Sequence, residues 1–302
     1  MAKQMGIRIE DLHYSFGEVR ALRGLDMVVP EGSIYGLVGR NGAGKTTTLR
    51  LAMGILRASS GSIEVLGMDP VERGAELRSM VGYLPEDRSL YGYMTVDETL
   101  SFARSLRRRW DGDLVEEFLD HFRIPRHRPV SDLSAGVKTQ LSLTLAAAHR
   151  PRLLLLDEPT AHLDPVGVRE LFGAILGLAA EEGQTVILSS HALQLVEGVA
   201  DHVGIMVEGR LVQSGPVDGV KDREKRIRAV FQVDPPRELL DHPAVVGIEG
   251  EGRRLQFTVR GDVDEIMEIC RRIPHFALEI LDMDLEAIFH GYAGEVRGEG
   301  QK

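Results

Sequence analysis

The stretch "SIYGLVGRNGAGKTTTLRLAMGIL", residues 33–56, joins a short apolar run to a glycine-rich loop and then to a helical pattern. Within it, residues 39–46 fit G-x-x-x-x-G-K-[ST], a loop whose backbone N–H groups turn inward around phosphate oxygens. The following helix presents its positive end to the same anion. Lys45 is placed to reach the β- and γ-phosphates, and the Thr46 hydroxyl is placed to ligate Mg²⁺. Strand, loop and helix in this order predict a nucleotide-binding domain.

A second apolar strand, "RLLLLDEP" at residues 152–159, ends in two adjacent carboxylates. Two acids at the end of a buried strand are costly unless a metal ion or water pairs them. We therefore expect Asp157 to hold Mg²⁺ and Glu158 to polarise an attacking water. A strand that is apolar along its whole length is typical of a parallel sheet.

Strands and helices alternate over residues 1–222, which predicts an α/β fold with a parallel sheet and helices on both faces. A helical stretch at about 88–150 is too long for one crossover connection, so we expect an inserted helical subdomain there.

The composition changes at residues 220–226, "VKDREKR", which predicts a linker. Beyond it, residues 226–292 show the order strand, helix, strand, strand, helix, strand. This order predicts a small α+β domain of the ferredoxin-like kind. Residues 293–302 are expected to form a disordered tail.

The composition excludes several classes of protein. Asp and Glu number 46 against 36 Lys and Arg, giving a formal charge of -10, so no nucleic-acid partner is expected. A single cysteine, Cys270, rules out an intrachain disulfide and a cysteine metal cluster, and suits a reducing compartment. The apolar runs are far shorter than the roughly 20 residues that span a bilayer. We therefore expect a cytoplasmic protein that lies at the inner face of the membrane only through a partner.

Three further motifs accompany the phosphate loop at 39–46 and the acidic strand at 153–158: "LSAG" at 133–136, "AHLD" at 161–164 and "SSH" at 189–191. With this set in this order, the chain resembles the nucleotide-binding subunit of an ATP-binding-cassette (ABC) transporter. The resemblance implies an α/β P-loop NTPase core with a mixed sheet, with ATP and Mg²⁺ as cofactors and ATP hydrolysis as the activity. It also implies a dimer of such subunits, with itself or with a sister subunit, and separate transmembrane permease subunits as partners.

The resemblance implies a role for each matching residue. Those implied for ATP binding are Phe16, Gly39, Arg40, Asn41, Gly42, Ala43, Gly44, Lys45, Thr46 and Thr47. Those implied for catalysis are Glu158, His191 and Lys45, and those for Mg²⁺ are Thr46, Glu86 and Asp157. The signature residues, which would act in trans on the partner's ATP, are Ser134, Ala135 and Gly136, and Asp164 would link the two sites. Tyr14 is the alternative to Phe16 for stacking on adenine, and Asp164 also suits a helix N-cap before Pro165.

Three positions depart from the family's pattern. Glu86, in "GYLPED", stands where the family usually has glutamine, which adds a negative charge near the phosphates. We expect activity to persist there with altered coupling. Ala135 replaces the usual glycine of the signature, and Val137 replaces a polar residue. Because Ser134 and Gly136 are kept, we expect the anion contact of the signature to survive.

The segment "DLEAIFHGYAG", residues 284–294, is similar to the closing motif of ATPase subunits in the drug-, lipid- and polysaccharide-export subfamily. It implies an exporter. The alternative is an ABC ATPase outside transport, of the iron–sulfur assembly or DNA-repair type. Residues 89–100, "SLYGYMTVDETL", are the expected permease contact, with Tyr91 and Tyr93 filling a socket or one of them belonging to the core. The cargo is expected to depend on the permease.

Overall fold

The computed structural model describes the backbone of residues 5–299 and the side chains of residues 5–180 and 183–293. The chain divides into one compact unit that ends at Val212 and a second that begins at Gln213. No helix among the described residues is long and apolar enough to cross a membrane.

Among its described residues, the first unit contains nine strands, the last of which runs across the boundary. They are β1 Met5–Phe16, β2 Val19–Pro30, β3 Ile34–Val38, β4 Ser60–Val65, β5 Val81–Leu84, β6 Leu153–Asp157, β7 Thr185–Ser190, β8 His202–Val207 and β9 Arg210–Pro216. Its helices are α1 Lys45–Ala52, α2 Gly74–Leu77, α3 Val96–Ser105, α4 Gly112–His121, α5 Ala135–Ala147, α6 Pro165–Glu182 and α7 Leu193–Glu197.

A six-stranded sheet with the order β5-β6-β7-β3-β8-β9 organises the first unit. Strands β5, β6, β7, β3 and β8 pair in parallel, and Asp157 of β6 aligns with Ser189 of β7. Val38, the last residue of β3, aligns with Ser190 of β7. Because parallel strands end at the same edge of a sheet, the loops that follow β3, β6 and β7 meet there. The fold thus gathers the sequence motifs at one edge.

A separate antiparallel sheet, with the order β2-β1-β4, lies beside the parallel one. One apolar cluster joins the two sheets through helix α1, with Leu25, Leu37, Leu49 and Ile187 among its fully buried members. Together the two sheets confirm the predicted α/β architecture with parallel and antiparallel pairing. Helices α3, α4 and α5 all lie between β5 and β6 in the chain, which confirms the inserted helical region of the predicted fold.

The second unit begins within β9 and continues with α8 Val217–Asp222, β10 Glu224–Phe231, α9 Arg237–Leu240, β11 Val245–Glu251, β12 Arg254–Arg260, α10 Val263–Arg272, β13 His275–Asp282 and α11 Leu285–Glu299. Its antiparallel sheet has the order β11-β12-β10-β13. Strand and helix order together give the ferredoxin-like topology that the sequence predicts. The core includes Ile227, Phe257 and Cys270, and burial raises the pKa of the Cys270 thiol to about 11.

Two stretches differ from their expected structure. At 220–226, where the sequence predicts a linker, the structure has the end of α8 and the start of β10. Val217 and Val220 are buried on one face of α8. This packing explains why the charged stretch that begins at Val220 has regular secondary structure. Helix α11 runs through Glu299, into the tail predicted at 293–302, and residues 300–302 lie outside the described part.

Candidate functional site

The loop between β3 and α1 has the backbone that a phosphate cradle needs. Gly42 and Gly44 have φ of 83° and 106°, in the left-handed region that favours glycine. A Cβ on Gly39 would lie 2.5 Å from the carbonyl oxygen of Met206, so that position also requires glycine. The buried Lys45 ammonium donates to the carbonyl oxygen of Gly39 at 2.8 Å, which holds the side chain along the inside of the loop.

Asp157 is fully buried at the end of β6. Its Oδ1 accepts hydrogen bonds from the Ser189 hydroxyl at 2.6 Å and from the Thr46 hydroxyl at 3.1 Å. Burial raises the pKa of Asp157, and the nearby Glu86 and Glu158 carboxylates raise it further, while the two hydroxyl hydrogen bonds lower it. Both carboxylates therefore lie close enough to Asp157 to act on it electrostatically.

The other carboxylate oxygen of Asp157, Oδ2, is buried and has no hydrogen-bond partner among the described residues. A buried oxygen without a partner, next to the Thr46 hydroxyl and a second acid, fits a hard divalent cation. No cluster of three or more His, Cys, Asp or Glu that could hold a metal occurs among the described residues. Mg²⁺ does not need one, because it is commonly held by one or two carboxylates together with water and substrate phosphates.

Glu158 has a left-handed backbone, with φ of 48°, and its side chain is buried. Its Oε1 lies 3.2 Å from the Lys45 ammonium, and its Oε2 lies 2.9 Å from Nδ1 of His191. Its backbone N–H donates to the Ser189 hydroxyl at 3.0 Å. The carboxylate is thus fixed between a cation and an imidazole at the edge of the sheet.

Arg88 and Ser189 also contact this site, although the sequence motifs assign no role to either residue. Ser189 joins Asp157 and Glu158 through its hydroxyl, and the "SS" before the histidine of "SSH" is the signal that points to it. Arg88 donates from Nη2 to the carbonyl oxygen of Glu158 at 2.8 Å and from Nη1 to that of Glu86 at 3.2 Å. In the sequence, Arg88 is marked only by its place two residues after Glu86, which stands where the family usually has glutamine.

The two aromatic candidates for adenine lie together at the end of β1. The Phe16 and Tyr14 rings meet edge to face with their centroids 4.8 Å apart. Tyr14 packs against the apolar core, whereas Phe16 is about half exposed. The exposed ring is the one that a base can reach, which favours Phe16, although its role stays a prediction.

The signature and the "AHLD" loop form one surface. Ser134 caps α5 by accepting a hydrogen bond from the backbone N–H of Val137 at 3.3 Å. Asp164 caps α6 in the same way, by accepting from the backbone N–H of Gly167 at 2.7 Å. Both residues line a surface cavity of about 370 Å³ that also includes Gly136. The N-cap proposed for Asp164 is therefore present. The trans roles of Ser134, Ala135, Gly136 and Asp164 stay predictions.

A family model described as ABC transporter matches residues 22–161. The bacitracin transport ATP-binding protein BcrA of Bacillus licheniformis is 35% identical over 222 residues, which cover 73% of this chain and 72% of BcrA. The uncharacterized ABC transporter ATP-binding protein YhaQ of Bacillus subtilis (strain 168) is 36% identical over 246 residues, which cover 80% of this chain and 81% of YhaQ. A solved structure titled ATP binding subunit of ABC transporter aligns with a TM-score of 0.66 and 26% identity, over 72% of this chain and 92% of its own.

Proposed function

The chain belongs to the ABC transporter family of ATP-binding proteins and is an ATPase, and we propose that two such subunits close over two Mg-ATP molecules to power a separate membrane permease. The observation that carries the proposal is the meeting of Lys45, Asp157, Glu158 and His191 at one edge of one sheet. Relatives that are named as transport ATP-binding proteins favour this function over iron–sulfur assembly or DNA repair.

The catalytic scheme follows from the contacts of each side chain. Lys45 lies inside the phosphate loop, where its charge offsets that of the β- and γ-phosphates. Thr46 and Asp157 would hold Mg²⁺, with Glu86 as the third candidate; when bound, the ion neutralises phosphate charge. Glu158 is the base that accepts a proton from the attacking water. His191 contacts the far oxygen of that carboxylate and orients it toward the γ-phosphate.

The trans half of each site would come from the signature of the partner subunit. Helix α5 has 13 residues and no acidic residue in its first turn, so its positive end is not neutralised within the helix. Ser134 and Ala135 at its start are exposed. An exposed helix start with a hydroxyl at its cap suits the γ-phosphate held by another subunit. The pairing can be with a second copy or with a sister subunit.

The permease would dock along residues 89–100. Tyr91 and Tyr93 are 53% and 79% exposed, so neither is a core residue. The Tyr91 ring lies 5.8 Å from the rings of both Tyr93 and Phe102, which makes one aromatic surface patch. Exposed aromatic patches of this kind mark interaction sites. The membrane association of this chain would arise through that contact.

Export is the proposed direction of transport. Its support is the closing motif in α11, where Leu285, Ile288 and Phe289 are all buried, together with the similarity to a bacitracin transport ATP-binding protein.

The test of the proposal measures oligomeric state in the full chain. A Glu158→Gln variant binds ATP but lacks the base, so we expect Mg-ATP to convert it from monomer to dimer in light scattering coupled to size exclusion. A matched Glu197→Gln variant changes a carboxylate in helix α7 and should hydrolyse ATP and stay monomeric at steady state. A Glu158→Gln protein that hydrolyses ATP as fast as the wild type would refute the catalytic scheme.

A further inference from the structure

Arg88 connects two segments of the chain that are 70 residues apart. Its Nη2 donates to the carbonyl oxygen of Glu158 at 2.8 Å, and its Nη1 donates to the carbonyl oxygen of Glu86 at 3.2 Å. Its Nε is buried and has no hydrogen-bond partner among the residues that the structure describes. A half-buried guanidinium that donates hydrogen bonds to two backbone carbonyls differs from a solvated surface arginine.

Arg88 holds a residue whose backbone needs support from its surroundings. Glu158 is a non-glycine residue in the left-handed region, a conformation that persists only where surrounding contacts impose it. Its N–H is fixed by the Ser189 hydroxyl at 3.0 Å. Its carbonyl is fixed by Arg88 and, from within the same loop, by the N–H of Ala161 at 3.2 Å. Arg88 thus supplies the charged donor on the carbonyl side.

Neighbouring carboxylates explain why the Arg88 cation is tolerated in this half-buried position. Burial lowers the pKa of Arg88, and the carboxylates of Glu86, Asp157 and Glu158 raise it. A guanidinium stays protonated under both influences. The positive charge also offsets the extra carboxylate that this chain carries at the glutamine position.

We propose that Arg88 is a positioning residue for ATP hydrolysis, which fixes the backbone of Glu158 and ties it to the segment that follows β5. This inference rests on the proposed function for the role of Glu158. Residues 89–100, the proposed permease contact, continue directly from Arg88. A displacement of residues 89–100 would therefore be transmitted to Glu158 through the side chain of Arg88.

The first test compares ATP turnover and ATP binding in the full chain. Arg88→Met keeps length but removes charge and donors, and we expect kcat to fall about 10- to 100-fold, since small misplacements of a reacting group cost that much. The Kd for ATP without Mg²⁺ should stay within about threefold, because the two hydrogen bonds of Arg88 go to Glu86 and Glu158 and not to the phosphate loop. Arg88→Lys keeps the charge without the planar fork and should recover little. Arg73→Met, which removes an exposed arginine paired with Glu76, is the matched control.

The second test needs no hydrolysis. Hydrogen exchange followed by mass spectrometry should show faster exchange of residues 158–163 in Arg88→Met, because Ala161 donates its N–H to the same carbonyl as Arg88. The thermal midpoint of the variant should match that of Arg73→Met. Unchanged kcat together with unchanged exchange would overturn the role of Arg88.

A double variant separates positioning from charge balance. If Arg88 acts through the Glu158 carbonyl, Glu86→Gln added to Arg88→Met restores no activity. Full recovery of kcat in the double variant would overturn positioning and leave charge balance as the only role. A wild-type chain without ATPase activity would refute the proposed function, whereas the exchange experiment would still decide whether Arg88 holds this backbone.

Discussion

Nδ1 of His191 lies 2.9 Å from Oε2 of Glu158, just beyond the ends of the adjacent parallel strands β7 and β6. The imidazole is about half exposed, whereas the carboxylate is buried. The histidine therefore faces solvent on one side and the carboxylate proposed as the base on the other. In the proposed scheme Glu158 takes a proton, and His191 holds its carboxylate in place.

His191→Ala should lower kcat by about 100- to 1000-fold, the cost of losing one preorganised polar contact at a reacting centre. The Kd for ATP should change little, because Lys45 and the phosphate loop are untouched. Phosphate release and equilibrium nucleotide binding measure the two effects. His127→Ala is the control, since the side chain of His127 is 92% exposed. Comparable turnover in the two variants would remove His191 from the mechanism.

The placement of the site follows from sequence because local patterns fix it. The strand, glycine-rich loop and helix around Lys45 predict the phosphate-binding loop, and the apolar strand that leads to Asp157 predicts the acidic pair. Parallel pairing of β3, β6 and β7 then brings both to one edge. The same holds for the ferredoxin-like unit, whose strand and helix order alone suggests its topology.

The support of the site does not follow from sequence, because it depends on contacts between distant residues. Arg88 reaches Glu158 across 70 positions, and no periodicity or turn signal marks such a pair. The left-handed backbone of Glu158 is likewise invisible in its residue type, since glutamate rarely adopts it. The charged run at 220–226 predicts a linker on composition, whereas the burial of Val217 and Val220 decides its structure.

Glu86→Gln should retain ATPase activity but raise the Mg²⁺ concentration that gives half-maximal rate, by about tenfold. The physical reason is charge: the Glu86 carboxylate acts on Asp157, whose free Oδ2 fits the cation, and an amide attracts Mg²⁺ less. A titration of Mg²⁺ at saturating ATP measures the shift. Asp87→Asn, at the exposed neighbouring position, is the control. Identical Mg²⁺ dependence and rate in wild type and Glu86→Gln would show that the departure at this position is neutral.

Ser134→Arg should block ATP-driven dimerisation while leaving ATP binding to the monomer nearly intact. The exposed Ser134 caps α5, and an arginine there would fill the surface cavity that Ser134 shares with Asp164. The change is best made in the Glu158→Gln background, where the dimer does not dissociate through ATP hydrolysis. Light scattering reports dimerisation, and a fluorescent ATP analogue reports binding.

Ser105→Arg introduces the same side chain at the exposed end of α3 and should still dimerise. A Ser134→Arg protein that dimerises as well as this control would argue against the trans arrangement.

His149 should make the first unit less stable at mildly acidic pH. Burial, with the Arg107 cation as the second cause, lowers the pKa of His149 to about 4. In the unfolded chain the ordinary value of 6.5 applies, so between pH 6.5 and 4 the unfolded state binds more protons than the folded state. The free energy of unfolding contributed by this group is therefore full above pH 6.5 and falls as the pH drops toward 4. Between pH 7 and pH 5 the loss should be about 2 kcal/mol.

Urea unfolding at pH 7 and pH 5 measures this loss, followed by the fluorescence of Trp110, the single tryptophan of the chain, which lies in the first unit. His149→Gln keeps a polar group opposite Arg107 but cannot titrate, so its stability should change less between the two pH values than that of the wild type. His127→Gln, at an exposed position, should follow the wild type. If His149→Gln loses as much stability as the wild type on acidification, the imidazole is not the group that is protonated on unfolding.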